Sequence, residues 1–362
     1  MEISPDKIQE TLIALGYQLR DIGDSWSTSA VYRSGDNPTA LTIYKKNGIW
    51  TDFVTGEKAQ PFSKLVKLSS GENVSVSQDP DAPKIIPDSE KNQIERIFPN
   101  SILDRLLQHH KPFLDRGISI QVLKRLKAGL ATSGAFYQRY TFPILNKDGN
   151  IVGFSGRDVS GNLGNGKVKW KHQGRKKNWI YPLFFKDEVG EAFVLDAIKK
   201  TGEVILVESI ADTCWFHTLG VFNVICCFGL DISEAIKAKL IELAPNKVIL
   251  AFNNDNLKPY NSGLNACANE FLGLLPYFDP ETIGICLPLR NDFSDTPSSE
   301  YPAWQKKKLG LDYERQREYL CSMIREMPTN LKNKDEFFGS PENKGLLWVS
   351  KASYKNMKYL GC

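Results

Sequence analysis

The sequence predicts an α/β protein built around a parallel β-sheet with helices on both faces. Residues 202–287 alternate between four short apolar runs (EVILV, VFNVICCF, KVILAF and ETIGICL) and three stretches of helical length. Apolar strands separated by helices are typical of a parallel sheet that is covered on both sides. Two further patterns, a hairpin and a small β-ribbon, precede this sheet in the chain.

Length and composition indicate a folded protein with more than one domain. At 362 residues, and with about 150 residues per domain, the chain has room for two or three domains. Hydrophobic residues make up 41% and charged residues 24%, which excludes a compositionally disordered chain. Neither a signal-peptide pattern nor a membrane-length apolar run occurs, so we expect a cytoplasmic protein with no membrane partner.

Residues 30–54 predict the small β-ribbon, because short β-rich runs are separated by GDNP and KKNG turns. We expect no zinc, since none of the seven cysteines precedes residue 214 and the four histidines lack metal-ligand spacing. The polar, proline-containing stretch at 70–89 is typical of a linker. The core of the ribbon is predicted to consist of Tyr32, Leu41, Tyr44, Trp50 and Phe53.

Between the linker and the parallel sheet, the sequence predicts helices followed by the hairpin. Ile102, Leu103, Leu106 and Leu107 have helical spacing, and VLKRLKAGLA closes on Gly129 as a C-capped helix does. In YTFPILNKDGNIVGFSGRDV, two β-rich runs flank a Lys-Asp-Gly turn, which indicates a hairpin. The charged stretch at 309–327 favours a further helix.

Acidic and amide side chains follow three of the four predicted strands. Because ligands of open α/β sheets bind beyond the carboxyl ends of the strands, we expect these side chains to meet at one edge. A single such acid is more often a helix cap or a solvated carboxylate, but their joint occurrence favours a metal site. Oxygen ligands suit magnesium or manganese. The candidate ligands are Glu208, Asp212, Asn253, Asp255, Asp292 and Asp295.

A basic strip at 167–179 (KVKWKHQGRKKNW) contains six Lys or Arg residues with three aromatic or imidazole rings between them. A charge run is usually a solvated face, and the net charge of +4 is too near neutral to indicate a nucleic acid by itself. Aromatic rings within a basic segment favour contact with a single-stranded nucleic acid or a nucleotide, because cations follow phosphates while rings stack on bases. The candidates are Lys167, Lys169, Trp170, Lys171, His172, Arg175, Lys176 and Lys177.

Together these motifs resemble those of DnaG-type DNA primases over about residues 100–296. The run from Val207 to Asp212, the acidic second motif and the later acidic stretch are similar to the Toprim fold of primases, topoisomerases and some nucleases. Upstream, Arg139–Val159 contains Arg-x-x-Phe-Pro-Ile and Gly-Phe-x-Gly-Arg, which resemble the segment that precedes Toprim in these primases.

The resemblance implies a Toprim-type parallel sheet with flanking helices, preceded by a mixed α+β primase subdomain and the β-ribbon. The implied regions are a zinc-ribbon-like domain without metal ligands (1–72), a linker (73–95), the N-terminal subdomain of the catalytic core (96–200), the Toprim domain (201–300) and a C-terminal helical region (301–362).

The resemblance also implies synthesis of short RNA primers on single-stranded DNA from ribonucleoside triphosphates, by two-metal nucleotidyl transfer. Glu208, Asp212 and Asp255 are the implied catalytic residues, and Arg139 and Arg157 would help the basic strip to bind triphosphate or template. A replicative helicase is the expected primosome partner, with the last 60 residues as its candidate contact. The missing zinc ligands and the lack of a P-loop motif suggest a bacteriophage member.

One departure keeps two alternatives open. Asn253 stands where the family's second motif has an aspartate, so a neutral amide replaces one ionic ligand and weakens or alters one metal site. A Toprim nuclease would use the same acids for cutting. In a non-catalytic single-strand-binding or replisome scaffold protein, Asn253 would mark an abandoned metal site.

Overall fold

The structure is a computed structural model that describes residues 4–35, 37–55, 59–70, 95–161, 168–258, 260–329, 331 and 333–361. Lys167 and nearly all of the predicted linker at 73–95 lie outside the described residues. Among the described helices, none combines the length and the apolar character that crossing a membrane requires.

The N-terminal unit is a four-stranded antiparallel sheet with two helices. Its strands run in the order β1 (Arg20–Asp21), β2 (Ser25–Thr28), β3 (Leu41–Tyr44) and β4 (Trp50–Asp52). The strands β3 and β4 confirm the predicted ribbon, whereas β1 and β2 precede it and were not predicted. The helices are α1 (Pro5–Ala14) and α2 (Phe62–Ser70). The core consists mainly of Ile8 and Leu12 of α1, with Trp26, Leu41, Ile43, Trp50, Phe62 and Leu65.

The predicted ribbon core is only partly correct. Leu41 and Trp50 are fully buried, but Tyr44 is 48% and Phe53 is 63% exposed. Tyr44 ends β3 on the face opposite to Leu41 and Ile43, since side chains alternate along a strand. Phe53 follows the last residue of β4 and lies in a turn. Helix α1, which the sequence analysis did not predict, supplies the missing apolar cover.

The middle of the chain forms a five-stranded antiparallel sheet in the order β5-β6-β7-β8-β9. The predicted hairpin is confirmed by the pairing of β7 with β8. The strands are β5 (Leu106–Leu107), β6 (Gly129–Ala131), β7 (Arg139–Leu145), β8 (Ile151–Asp158) and β9 (Trp170–Gly174), and two short helices, α3 (Lys111–Leu114) and α4 (Ile120–Arg125), lie between β5 and β6.

The helix predicted from Ile102 to Leu107 is wrong. Residues 100–105 form a 3₁₀ turn, and the two leucines that follow pair with β6 as an edge strand. Gly129 does not cap α4 either, because that helix ends at Arg125 and Lys127 adopts the left-handed conformation (φ 52°). Gly129 instead begins β6, where a side chain would lie 2.9 Å from the Leu106 Cβ atom.

The predicted parallel sheet is confirmed, with strand order β11-β10-β12-β13 and all neighbours parallel. Ile205 and Val207 belong to one apolar cluster with α6, while Val204 and Leu206 belong to a second cluster on the other face. The elements are α5 (Phe193–Thr201), β10 (Glu203–Val207), α6 (Ile210–Thr218), β11 (Val224–Cys226), α7 (Glu234–Leu243), β12 (Lys247–Leu250), α8 (Ser262–Leu274) and β13 (Ile283–Ile285).

The C-terminal region is a mixture of helices and strands and packs on the parallel-sheet unit through α8 and β13. Its predicted helix is confirmed as α10 (Tyr313–Met323), which ends directly before a strand. The other elements are α9 (Tyr301–Leu309), β14 (Ile324–Glu326), α11 (Lys334–Gly339), β15 (Leu347–Val349) and α12 (Lys351–Tyr354), with β14 and β15 paired in parallel.

Candidate functional site

Glu208 directly follows β10 and lies at the carboxyl edge of the parallel sheet. Its carboxylate accepts a hydrogen bond from the backbone N–H of Asn253, so the ends of β10 and β12 are joined at this residue. Burial and the neighbouring carboxylates of Asp212 and Asp255 raise the pKa of Glu208 to about 7. The acids at these strand ends therefore lie close enough to repel one another, and the sequence predicts that they meet at one edge of the sheet.

Asp212 lies in the first turn of α6 and is 1% exposed. It forms a capping box with Ser209, whose hydroxyl donates to its carboxylate at 2.7 Å. The backbone N–H of Ser294 donates to its other oxygen at 3.1 Å. Burial and the charge of Asp292 outweigh these bonds and raise the pKa of Asp212 to about 6.

Asp255 lies between β12 and α8 and is held by cationic and hydroxyl donors. Lys258 donates at 2.6 Å, and Ser262 and the Gly263 N–H also donate to it. Although burial alone raises the pKa of Asp255, these bonds outweigh burial and lower it. A side chain on Gly263 would lie 1.7 Å from the carbonyl oxygen of Asn253, so glycine is required for this close approach.

The loop after β13 brings two further acids to the site. Asp292 is 8% exposed and accepts hydrogen bonds from the Ser294 hydroxyl (3.0 Å) and the Asp295 N–H (2.7 Å). Asp295 is exposed and pairs with Arg116 at 2.7 Å. Arg116 also donates to the Ser294 hydroxyl at 2.7 Å. The sequence did not predict Arg116 or Ser294 as site residues, although the segment that contains Arg116 and Gly117 resembles the helical lead-in of DnaG-type primases.

Arg157, near the end of β8, brings a second guanidinium to these acids. Burial and the nearby Arg116 lower its pKa, whereas Asp295, Asp292 and Asp212 act in the opposite direction. Its guanidinium carbon lies 5.7 Å from the ring centroid of Trp170. Two arginines thus stand beside the acidic cluster, an arrangement suited to an anion that also contacts a bound cation.

Arg139 lies inside the five-stranded sheet and is 6% exposed. It donates to the Gly156 carbonyl oxygen at 3.2 Å and lies 3.7 Å from the Asp158 carboxylate, opposite it in the β7–β8 pairing. These contacts indicate a structural role, and we remove Arg139 from the predicted triphosphate-binding residues.

The basic strip presents cations rather than rings. Lys169, Lys176 and Lys177 are exposed, and Lys176 donates to the Phe228 carbonyl oxygen at 2.9 Å. Lys171 donates to a carbonyl oxygen at 2.8 Å, and Arg175 is half-buried.

The rings of the strip pack inward, contrary to the expected stacking on bases. Trp179 is 1% exposed, and His172 packs edge-on against Trp179 and Phe228. Burial lowers the pKa of His172 to about 4, so it is neutral at pH 7. Trp170 is half-buried, with Phe142 and Arg157 beside it.

The donor set fits a magnesium ion that is only partly coordinated by protein. Glu208 and Asp212 carry pKa values raised by burial and by like charges, which a divalent cation would relieve. Among the described residues, no three His, Cys, Asp or Glu side chains form a ready metal-binding group. Magnesium typically takes one or two carboxylates and completes its shell with water and substrate phosphates, so this arrangement suits it.

Fold and site together define an α/β protein with an acidic cluster at a parallel-sheet edge, flanked by arginines. No protein-family profile matches the chain. The chain is 30% identical over 203 residues to the DNA primase of Borreliella burgdorferi, covering 53% of this chain and 34% of that protein. It is 33% identical over 153 residues to the DNA primase of Campylobacter jejuni, covering 42% of this chain and 24% of that protein.

Among solved structures, the zinc-binding and RNA polymerase domains of the Aquifex aeolicus primase share 15% identity and a TM-score of 0.46, covering 89% of this chain and 93% of that one. The chain thus resembles bacterial DNA primases in sequence, while it spans about a third or less of the length of these two curated relatives.

Proposed function

We propose that this chain is a DNA primase that synthesises short RNA primers on single-stranded DNA for replication. The observation that carries the proposal is the cluster of Glu208, Asp212 and Asp292 with Arg157 beside it, in a chain similar to DNA primases. Acids that hold a divalent cation next to cations that hold phosphate are what nucleotidyl transfer requires.

In this proposal the acidic side chains supply oxygen ligands, and Arg157 with Arg116 holds the triphosphate of a ribonucleotide. Bound magnesium would stabilise the attacking and leaving oxygens of the transfer. The exposed Lys169, Lys176 and Lys177 would follow the phosphates of the template strand. Asn253 would donate its backbone N–H to Glu208, independently of whether its side-chain amide binds the cation.

Glu208 is the best candidate for the proton acceptor. Burial and the nearby carboxylates raise its pKa to about 7, which matches a base that works near neutral pH. It would take the proton of the attacking hydroxyl, or hold the cation that makes this hydroxyl acidic. Asp212, whose oxygens already accept three hydrogen bonds, would orient the cluster.

The finer parts of the proposal are a Toprim-type sheet, a bacteriophage origin and a replicative helicase as partner. The motif resemblance supports the Toprim-type sheet and the helicase partner, and the missing zinc ligands and P-loop motif support the bacteriophage origin. The nuclease and the non-catalytic strand-binding protein remain alternatives to be separated by experiment.

The test is incubation of the full chain with single-stranded template, labelled ribonucleotides and magnesium. Template-dependent short RNA is the expected product. Shortened template would instead indicate a nuclease, and binding without either reaction would indicate a non-catalytic protein.

The matched variants are Glu208→Gln at the site and Glu188→Gln on an exposed loop. The first should lower RNA synthesis by roughly 100-fold or more, the magnitude of a lost general base, and the second should leave it unchanged. Full synthesis by Glu208→Gln would refute the site assignment.

A further inference from the structure

The C-terminal region reaches the loop that carries Asp255. Tyr260 lies in this loop, between β12 and α8, and its ring stacks on Phe338 of α11 with centroids 4.0 Å apart and planes 26° apart. Phe338 meets Phe337 edge-on at 5.2 Å, and Phe337 meets Trp348 of β15 at 4.7 Å. The four rings form a continuous row from the loop into the C-terminal region, which we call the aromatic row.

Hydrogen bonds lead from the end of the aromatic row back to the loop. The backbone N–H of Trp348 donates to the Asn265 side-chain oxygen at 2.6 Å. The Asn265 amide donates to the Asn261 carbonyl oxygen at 2.8 Å, and Asn261 is the next residue after Tyr260. These contacts therefore connect the loop to α11, then to β15, and through the start of α8 back to the loop.

Asn261 links these contacts to Asp255. Its side-chain oxygen accepts the N–H of Asp255 at 3.1 Å and the N–H of Leu264 at 3.0 Å, so it caps α8 and fixes the Asp255 backbone at once. Its amide donates to the Asn254 side chain at 3.0 Å. A shift of Tyr260 therefore moves the residue that orients Asp255.

The outer part of the loop has little cover of its own. Leu257 is 95% exposed, and the Lys258 side chain is 65% exposed. Phe338, by contrast, is 6% exposed beneath Tyr260. The stack between these two rings is thus an apolar contact that ties the loop to the C-terminal region.

We propose that Tyr260 and Phe338 are positioning residues, which hold Asp255 in place for a divalent cation through Asn261. The cation site and the consequence for catalysis rest on the proposed function, but the effect on loop order does not. The C-terminal region then acts on the site within the same chain, in addition to any contact with a partner protein.

The test compares Phe338→Leu and Phe338→Tyr in the full chain, with Mn²⁺ as the probe. An aromatic pair contributes about 0.5–1.5 kcal/mol beyond its buried area, so Phe338→Leu should weaken Mn²⁺ binding roughly two- to tenfold. Calorimetric titration measures this change. Hydrogen exchange of peptides covering 251–261 should rise in the same variant, while peptides of β10 and α6 stay unchanged. Phe338→Tyr keeps an aromatic ring, so its Mn²⁺ affinity and its hydrogen exchange should stay close to those of the wild-type chain.

Leu320→Ala is the control for lost stability, because Leu320 is 1% exposed in the same C-terminal region and lies outside the aromatic row. It should lower the melting temperature without changing exchange at 251–261 or Mn²⁺ affinity. If Leu320→Ala and Phe338→Leu alter both readouts equally, the positioning role is refuted.

Tyr260→Leu offers a second route to the same contact. Combined with Phe338→Leu, it should add no further loss of Mn²⁺ affinity, since both remove one stack. Additive losses would overturn the proposal. If the wild-type chain makes no RNA but the variants show these changes, the proposed function is refuted and this inference still holds.

Discussion

Two buried carboxylates of this protein have opposite electrostatic surroundings. Asp52, in the N-terminal unit, is fully buried and accepts hydrogen bonds from Arg33 (2.8 and 3.2 Å), from the Tyr32 hydroxyl (2.7 Å) and from two backbone N–H groups that follow it. Burial alone raises the pKa of Asp52, but these donors outweigh it and lower the pKa. Its negative charge is fully compensated within the fold.

Glu208 and Asp212 are not compensated in this way. Burial and neighbouring carboxylates raise their pKa values to about 7 and about 6. The comparison shows that burial does not by itself decide whether the pKa of an acid rises or falls in this protein. The balance between donors and neighbouring carboxylates decides it, because an uncompensated buried charge is relieved either by protonation or by a bound cation.

The largest expected effect is that of Asp52→Ala. It leaves Arg33 without its partner and removes the acceptor of the two backbone N–H groups, so we expect a loss of about 3 kcal/mol in the free energy of unfolding. This is the low end for a buried ion pair, since the Arg33 side chain keeps 27% exposure. Urea denaturation measures the loss.

Asp21→Ala is the matched control, since Asp21 pairs with Lys45 at 2.6 Å in the same sheet but has an exposed side chain. It should leave stability nearly unchanged. Equal losses in both variants would contradict the distinction between compensated burial and surface pairing.

Glu208→Gln should have a smaller effect of the opposite sign, because it removes uncompensated charge. At pH 8, without divalent ions, we expect the melting temperature to rise by about 2–4 °C, equivalent to about 1 kcal/mol. The folded pKa of about 7 lies above the ordinary value of 4.5, so the penalty is present at pH 8 and falls as the folded protein takes up a proton below pH 7.

The pH dependence separates the two carboxylates further. The gain from Glu208→Gln should shrink as the pH falls below 7, and only a small part of it should remain at pH 5 in thermal scans. The loss from Asp52→Ala should stay constant from pH 8 to pH 5, because the lowered pKa of Asp52 keeps it ionised throughout this range. A gain from Glu208→Gln that is undiminished at pH 5 would show that lost repulsion is not its cause.

The smallest expected effect is that of Lys258→Ala. Lys258 pairs with Asp255 at 2.6 Å, but its side chain is 65% exposed, so the stability should change by less than about 0.5 kcal/mol. Chemical denaturation of this variant beside wild type measures the difference. A loss as large as that of Asp52→Ala would place Asp255 among the compensated structural acids.

The sequence predicts the parallel sheet correctly because both of its faces are buried, so the apolar runs are set locally. It fails at Leu106 and Leu107, where pairing with β6 outweighs helical spacing. It also fails for Tyr44, because successive side chains of a strand point to opposite faces and a shift of one residue exchanges core for solvent.

For the site, strand order alone brings Glu208, Asp255 and Asp292 to one edge, so their proximity could be predicted. The roles of the arginines could not. Arg116 contacts Asp295 across 179 residues of sequence, and the burial of Arg139 depends on its pairing with Asp158 in the next strand. Contacts of this kind are decided by tertiary packing and leave no mark in the local pattern.

The bond between Asn265 and Trp348 spans 83 residues of sequence, which affects how the site forms as the chain is synthesised. At about 5–20 residues per second, the ribosome adds β15 roughly 4–17 seconds after the start of α8. During that interval the sheet and its acids can fold while the loop at 253–261 still lacks its outer support. The outer support of this loop is therefore tied to the synthesis of β15.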